Sequence, residues 1–357
     1  MRLNYTIETP EGPKRKSIYG RMYKEVEKKL AEARGDAARG LIFDADNLKL
    51  GEYLDRWLAD SVADTVRPTT FERYEQIVRV HIRQALSNLE LKNVTPAHVR
   101  GLYREKLEDE LSPRTVQYIH VTLHKALKQD VDDGLIPRNA TEAVRPPQVR
   151  KEEIRPLTAE QVKMLFEAER GDRLESLYIL AVHTGLRQGE LLGLKWGDVD
   201  LEAGTLQARR MLTTAKGAPV RRAPKSKGSR RTVKLSPTAL EALRSHLERQ
   251  LREIDQAGDL WRENGLIFAS ESGEPLDRRY ITTHRFKPLL KRAGLPKIRF
   301  HDLRHTCATL LLTKNVNPKV VSEMLGHATI AITLDTYSHV LPNMQSEAAQ
   351  AMEDVLT

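Results

Sequence analysis

His301-Asp302-Leu303-Arg304-His305 decides how this 357-residue chain is read. On a helix, residues three apart share a face, so His301 and Arg304 stand together. Upstream, Arg187 lies in Thr184-Gly185-Leu186-Arg187-Gln188-Gly189-Glu190-Leu191. Downstream come Leu325-Gly326-His327 and, ten residues past that histidine, Tyr337 in Thr336-Tyr337-Ser338-His339. Two guanidiniums can hold a phosphate by paired, charge-assisted hydrogen bonds. A tyrosine can act as a covalent nucleophile, and histidine is suited to proton transfer near neutral pH. Singly, each residue has a plainer reading: Arg187 in a surface ion pair with Glu190, His327 at a helix C-terminus, Tyr337 in the core. His301 and His305 are spaced for a metal, but the glutamate of a zinc-protease motif is missing and no third ligand is evident.

Composition narrows the partner. The formal net charge is +9 and the isoelectric point about 9.5, which favours a polyanion. One cysteine, Cys307, excludes a disulfide framework and a Cys-rich zinc site. No apolar run follows Met1-Arg2-Leu3-Asn4, so no secretory signal is expected. No stretch approaches the ~20 apolar residues of a membrane span. A cytosolic, DNA-facing location in a prokaryotic cell is the simplest reading.

The length suits two or three domains. Residues 1–46 read as a small basic module. Leu3, Tyr5 and Ile7 alternate as in a strand, Glu11-Gly12-Pro13 signals a turn, and Lys14-Arg15-Lys16-Ser17-Ile18-Tyr19-Gly20 reads as a second strand. A charged helix follows from about 23 to 34, then a linker from Ala37. Residues 47–146 carry four helices. Leu50, Tyr53, Leu54, Trp57 and Leu58 mark one buried face; Thr69-Thr70-Phe71-Glu72 reads as a capping box; Thr95-Pro96 and Ser112-Pro113 open the last two. Arg67, Arg73, Arg79, Arg114, His120, His124 and Lys125 are candidates for the polar faces of this bundle. Residues 147–156 are a proline- and charge-rich linker.

Residues 157–345 form the larger domain. Leu174 to Val182 is a buried helix ended by Gly185, and Arg187 opens a short helix anchored by Leu191, Leu192 and Leu194. From Ala203 to Leu240 there are ten Lys and Arg residues and no Asp or Glu, which favours a phosphate-facing role over a solvated charge run. Leu206, Ala208, Arg210 and Leu212 alternate, as do Val233 and Leu235 against Thr232 and Lys234, giving a small antiparallel sheet with a basic turn. Leu266-Ile267-Phe268-Ala269 reads as a short strand, with helices at 236–255, 280–293, 302–313 and 319–325. The tail, 346–357, puts Ala349, Met352, Val355 and Leu356 on one face. The fold class is mostly α with small antiparallel sheets (α+β).

In order and spacing, Thr184-Gly185-Leu186-Arg187-x-Gly189-Glu190, His301-x-x-Arg304-His305, Leu325-Gly326-His327 and Tyr337 resemble the tyrosine recombinase, or phage integrase, family. The resemblance is strong over the second half and looser over the preceding 100 residues. It implies an arm-type DNA-binding module, a SAM-like core-binding bundle and a catalytic domain. It implies that Arg187 and Arg304 clamp the phosphate, that His301 and His327 flank it and manage protons, with His301 placed to take the phenolic proton, and that Tyr337 is the nucleophile. A catalytic lysine belongs in the turn Pro224-Lys225-Ser226-Lys227-Gly228-Ser229-Arg230-Arg231; Lys225 matches best, and Lys227 stays open. Lys14, Arg15, Lys16, Arg67, Arg73, Arg114, Lys227, Arg230 and Arg231 are the implied DNA contacts. The implied reaction makes a 3′-phosphotyrosyl link, with no metal, nucleotide or other cofactor. The implied partners are double-stranded attachment sites, three further protomers at the synapse, an excisionase and a host DNA-bending protein, but no membrane. A type IB topoisomerase and a DNA-binding protein without catalysis are the rivals. The extra N-terminal residues favour a phage or mobile-element integrase over a chromosome-dimer resolvase. The tail helix is expected to dock on a neighbouring protomer.

Overall fold

The computed structural model describes residues 2–9, 12–38, 48–149, 154–215, 218–222, 230–338 and 344–356. The chain divides into two compact units, Met1–Lys151 and Glu152–Thr357.

In the first unit, β1 (Arg2–Thr9) and β2 (Gly12–Tyr19) form an antiparallel hairpin in which Thr9 pairs with Gly12. Gly12 and Pro13 therefore belong to the strand and not to a turn. The helix Tyr23–Ala38 packs on both strands and absorbs Ala37 and Ala38, which the sequence reading gave to a linker. Its alanines favour helix more than the polar spacing suggested.

Four helices then enclose one apolar core. The first, Leu50–Arg56, continues in a wider turn through Trp57–Val62; the second, Pro68–Ile77, continues through Val78–Ile82 and Arg83–Leu86. Pro96–Glu108 and Pro113–Asp132 complete the set. Leu54, Ile82, Val99, Ile119, Leu123 and Leu127 are buried at its centre. Each such side chain contributes roughly 1.5–3 kcal/mol by leaving water. Thr95 and Ser112 cap as expected, their hydroxyls accepting from the backbone N–H of His98 and Thr115. The second helix does not open at the Thr69 capping box. It begins at Pro68, whose fixed φ suits the first helical position, and Arg67 is an N-cap without a side-chain bond. Asp130 is fully buried here, and neither of its carboxylate oxygens has a hydrogen-bond partner.

The second unit is built around the helix Glu175–Thr184, in which Leu177, Tyr178, Ile179, Leu180, Ala181 and Val182 are all buried. A helix apolar all round belongs at the centre of a domain. Pro237–Ala257 and Asp302–Thr313 pack against it. A three-stranded antiparallel sheet has the order β3 (Val199–Asp200), β4 (Thr205–Ala208), β7 (Arg231–Lys234). The alternation from Leu206 to Leu212 is not one strand. It breaks at Arg209–Arg210, and β5 (Met211–Ala215) pairs instead with β6 (Ala218–Arg222) in a separate hairpin. Arg210 turns in to pair with Asp198, which ends β4. Leu266 to Ala269 is buried but forms only isolated bridges, Lys195 with Leu266 and Ala269 with Pro275, so it is not a strand. The helix Met344–Leu356 leaves Met352, Val355 and Leu356 exposed. No described helix is long and apolar enough to cross a membrane.

Candidate active site

Two helix ends set the site. Glu175–Thr184 stops at Gly185 (φ 60°) and Pro318–Leu325 stops at Gly326 (φ 69°), both left-handed. Glycine enters this region without the steric cost of a Cβ. A Cβ at position 185 would also lie 2.5 Å from Leu325 Cδ2, and one at 326 would lie 2.8 Å from Arg231 Nη1. Each terminal carbonyl then holds an arginine. Arg304 Nη1 donates to the Gly185 carbonyl at 2.8 Å, and Arg187 Nη2 to the Gly326 carbonyl at 3.4 Å. The two motifs flanking Arg187 and His327 are thus joined through backbone.

Glu190 is the anchor between the arginines. Its carboxylate accepts from the Arg187 backbone N–H and guanidinium, both at 2.9 Å, and from Arg231 Nη2 at 3.1 Å. Burial acts to raise the Glu190 carboxyl, but Arg231 first, and then the Arg187 contacts, hold it below the usual range. Arg231 was expected to face DNA. Its guanidinium is instead buried, bonded to Glu190 and to the Met324 carbonyl. It lies over Gly326 and completes a cluster of three guanidiniums around one carboxylate.

Arg304 is only 3 % exposed, and its Nη2 has no hydrogen-bond partner. Burial, followed by the Arg187 and Arg231 charges, lowers it to about 9, which still leaves it charged at neutral pH. An unpaired buried guanidinium nitrogen among like charges is a costly arrangement in the absence of an anion. The cluster is therefore suited to hold a phosphate.

Three histidines and Tyr337 surround it. His301 is at the N-terminal end of the Asp302–Thr313 helix, its ring edge-to-face with His305 at 5.1 Å. Burial, then His305 and Arg304, lower His301 to about 4. Burial, then Arg304 and Arg187, lower His327 to about 4. Both rings are neutral at pH 7. His327 Nδ1 bonds to the Thr333 hydroxyl at 2.7 Å, which fixes that ring. Thr333 and Tyr337 are one turn apart on the helix Ile330–Tyr337, and both face inward. Tyr337 packs with Ala308, Leu312, Val321 and Leu325. Its hydroxyl bonds to His305 Nδ1 at 2.6 Å, so His305 and not His301 is the histidine in contact with it. Burial pushes this phenol up to about 12, against the pull of the Arg304 charge.

Arg187, His301, Arg304, His327 and Tyr337 thus converge, and Glu190, Arg231, His305 and Thr333 join them. For His305 the signal was present, since it directly follows Arg304 in the motif; for Thr333 there was none. Lys225 and Lys227 lie outside the described residues, and Arg230 is exposed immediately before β7. Lys14, Arg15 and Lys16 lie on β2, paired with Ile7, Thr6 and Tyr5. In the bundle, Arg73 and Arg114 flank the Tyr118 ring, with guanidinium carbons 3.6 and 5.3 Å from its centroid. Arg67 is half-buried at its helix start. His120 and His124 are not free polar-face residues: they stack, and bond to the Tyr103 and Thr141 hydroxyls. Lys125 donates to the Tyr74 hydroxyl.

Comparison with known proteins gives this geometry its setting. Residues 155–344 match the phage integrase family, and residues 49–107 match the N-terminal SAM-like domain of phage integrases. A tyrosine recombinase XerC-like protein of Caldanaerobacter subterraneus subsp. tengcongensis is 32 % identical over 99 % of this chain and 96 % of its own length. The chain belongs to the phage integrase family. As a member it is a tyrosine-type, site-specific DNA recombinase. The ICEBs1 integrase of Bacillus subtilis is 26 % identical over 84 % of this chain and 81 % of that protein. Two integrase structures share the fold. The Tn1549 transposon integrase, solved with a circular intermediate DNA, has a TM-score of 0.73 at 20 % identity, covering 87 % of this chain and 99 % of that one. The lambda integrase tetramer bound to a Holliday junction has a TM-score of 0.63 at 21 % identity, covering 94 % and 92 %.

Proposed function

We propose that this integrase cuts one DNA strand by attack of Tyr337 on a scissile phosphate held by Arg187 and Arg304. One observation carries the reading: the buried, unpartnered Arg304 Nη2 within a cluster of three guanidiniums and one carboxylate. The arginines stabilise the charge that builds on the non-bridging oxygens. His301 and His327, neutral in the free site, donate hydrogen bonds to those oxygens. The phosphorus passes to the tyrosine oxygen as a 3′-phosphotyrosyl ester, and the 5′-oxygen leaves with a proton from Lys225 or Lys227. The ester keeps the energy of the phosphodiester bond, so a 5′-hydroxyl of a partner strand can reverse the step. No nucleotide is consumed, and the guanidiniums supply the charge that Mg²⁺ supplies in many phosphoryl-transfer enzymes.

The same reading assigns residues 1–46 to arm-site binding, 47–146 to core-site binding and 157–345 to catalysis. It places four protomers on synapsed attachment sites of a phage or mobile element in the bacterial cytoplasm, with the 346–357 tail docked on a neighbour. An excisionase and a host DNA-bending protein are its accessory partners. Lys14, Arg15, Lys16, Arg67, Arg73, Arg114, Lys227 and Arg230 contact the DNA backbone.

The test is a suicide-substrate assay in EDTA. Nicked duplexes covering both ends of the genetic element that encodes the chain are incubated with protein and run on a denaturing gel. A covalent band with the wild type, lost in Tyr337→Phe while the gel shift persists, is the expected result. Wild-type cleavage by Tyr337→Phe refutes the assignment.

A further inference from the structure

We propose that His305, through Nδ1, is the group that takes the phenolic proton from Tyr337 during strand cleavage. The inference rests on the reading of Tyr337 as nucleophile and adds the residue that activates it.

The Tyr337 hydroxyl and His305 Nδ1 are 2.6 Å apart. The phenol is buried and holds its proton more tightly than usual, so in the free site it is the donor. Nδ1 must then be the unprotonated nitrogen, with the ring proton on Nε2. Burial also holds His305 below the ordinary histidine range, helped by Arg299 and Arg304 and opposed by Asp302. The ring is therefore neutral at pH 7 and able to accept. The contact is short, and it joins residues 32 positions apart in sequence. His301 is the alternative acceptor, but it meets the His305 ring and not the tyrosine.

The placement is held from both sides. His305 is on the Asp302–Thr313 helix directly after Arg304, so the helix that supplies a clamp arginine also supplies the base. Tyr337 is the last residue of its own helix and is fixed by the cluster of Ala308, Leu312, Val321 and Leu325. The charged and titratable groups around His305 are His301, Asp302, Arg299 and Arg304 from its own segment, Tyr337 from the facing helix, and His327 from just beyond the helix Pro318–Leu325.

A lone pair on the Tyr337 oxygen forms the new bond to phosphorus, and its proton moves to His305 Nδ1. The electron pair of the P–O5′ bond leaves with the 5′-oxygen, which takes a proton from Lys225 or Lys227. The imidazolium so formed lies near the Asp302 carboxylate. In religation a 5′-hydroxyl attacks, the phenolate leaves, and His305 returns the proton to it.

The experiment uses the full-length protein on the same nicked duplexes, measuring single-turnover adduct formation against pH for wild type, His305→Asn and His305→Ala. Asparagine can keep a hydrogen bond to the phenol but cannot take its proton. General-base removal typically costs ~10²–10⁴-fold, so both variants should be at least about a hundredfold slow. Their log rate should rise by about one per pH unit where the wild-type rate has levelled off. Added imidazole should restore His305→Ala. Gel shifts and thermal unfolding check that the variants fold and bind. Wild-type rate in His305→Asn would reduce His305 to a positioning residue and overturn the proposal. So would slow variants with an unchanged pH profile and no imidazole rescue. Absence of any adduct with the wild type would instead sink the underlying reading of Tyr337.

Discussion

Replacing Asp130 by asparagine should remove most of the pH dependence of the first unit's stability. Asp130 lies on the inner face of the helix Pro113–Asp132, fully buried, with no partner for either oxygen. The Tyr53 hydroxyl is nearby but donates to the Ala126 carbonyl at 3.0 Å. Burial pushes the Asp130 carboxyl from 3.8 up to about 8, against the pull of the neighbouring Tyr53 hydroxyl and with a further push from the Asp133 charge. The folded pKa is raised, so the sign is that of an acid kept neutral by folding. Its contribution is complete below the unfolded value of 3.8 and is lost as pH rises toward about 8. Each pH unit in that window costs ~1.4 kcal/mol, so the wild type should lose roughly 2–3 kcal/mol relative to Asp130→Asn between about pH 5 and about pH 7. That is a large part of the ~5–15 kcal/mol that holds a typical domain together. The assay is urea unfolding of the full chain at both pH values, with Trp196 and Trp261 changed to phenylalanine. Trp57, buried in the same bundle, then reports on the first unit alone. Parallel pH dependence of the two proteins would show that Asp130 titrates as an ordinary carboxyl and would refute the reasoning.

Three further outcomes follow from the site. Glu190→Gln leaves the buried Arg231 without its counter-charge, and a broken buried pair of this kind costs ~3–5 kcal/mol, read as a lower urea midpoint of the second unit. Gly326→Ala forces a Cβ into a left-handed position against Arg231; it should cost ~1–2 kcal/mol of stability, and adduct formation should slow as the Arg187 contact shifts. His301 and His327 are depressed to about 4, and a bound anion offsets the arginine charges that help hold them there. Sulfate, a phosphate-like anion whose own charge does not change in this range, should therefore bind with proton uptake and more tightly as pH falls from about 7 to about 5, which calorimetry in two buffers of different ionisation heat would measure.

Much of the fold can be read locally. Ser112-Pro113 and Thr95-Pro96 announce their helices because cap and proline act within one turn, and Gly185 and Gly326 end theirs for the same reason. Thr69-x-x-Glu72 points to the wrong start for the second bundle helix because it competes with Pro68, where the helix begins, and local signals do not rank themselves. The strand through Leu206 and Leu212 failed differently. Its alternation is real, but the Arg210–Asp198 pair breaks the chain between two sheets, and that partner is set by tertiary contact.

By itself the sequence determined the helix boundaries set by caps, the basic character of the chain, and the identities and order of Arg187, His301, Arg304, His327 and Tyr337. Side-chain chemistry and one-turn geometry are properties of a short stretch, so a short stretch reveals them. Only the tertiary structure decided that Tyr337 meets His305 and not His301, that Arg231 turns inward to Glu190, that two glycine carbonyls hold the clamp arginines, and that Asp130 is sealed without a partner. Each of the first three joins segments tens of residues apart, and the last depends on several helices closing together. Such pairings are chosen by how whole faces pack, because the apolar area buried outweighs any single polar contact.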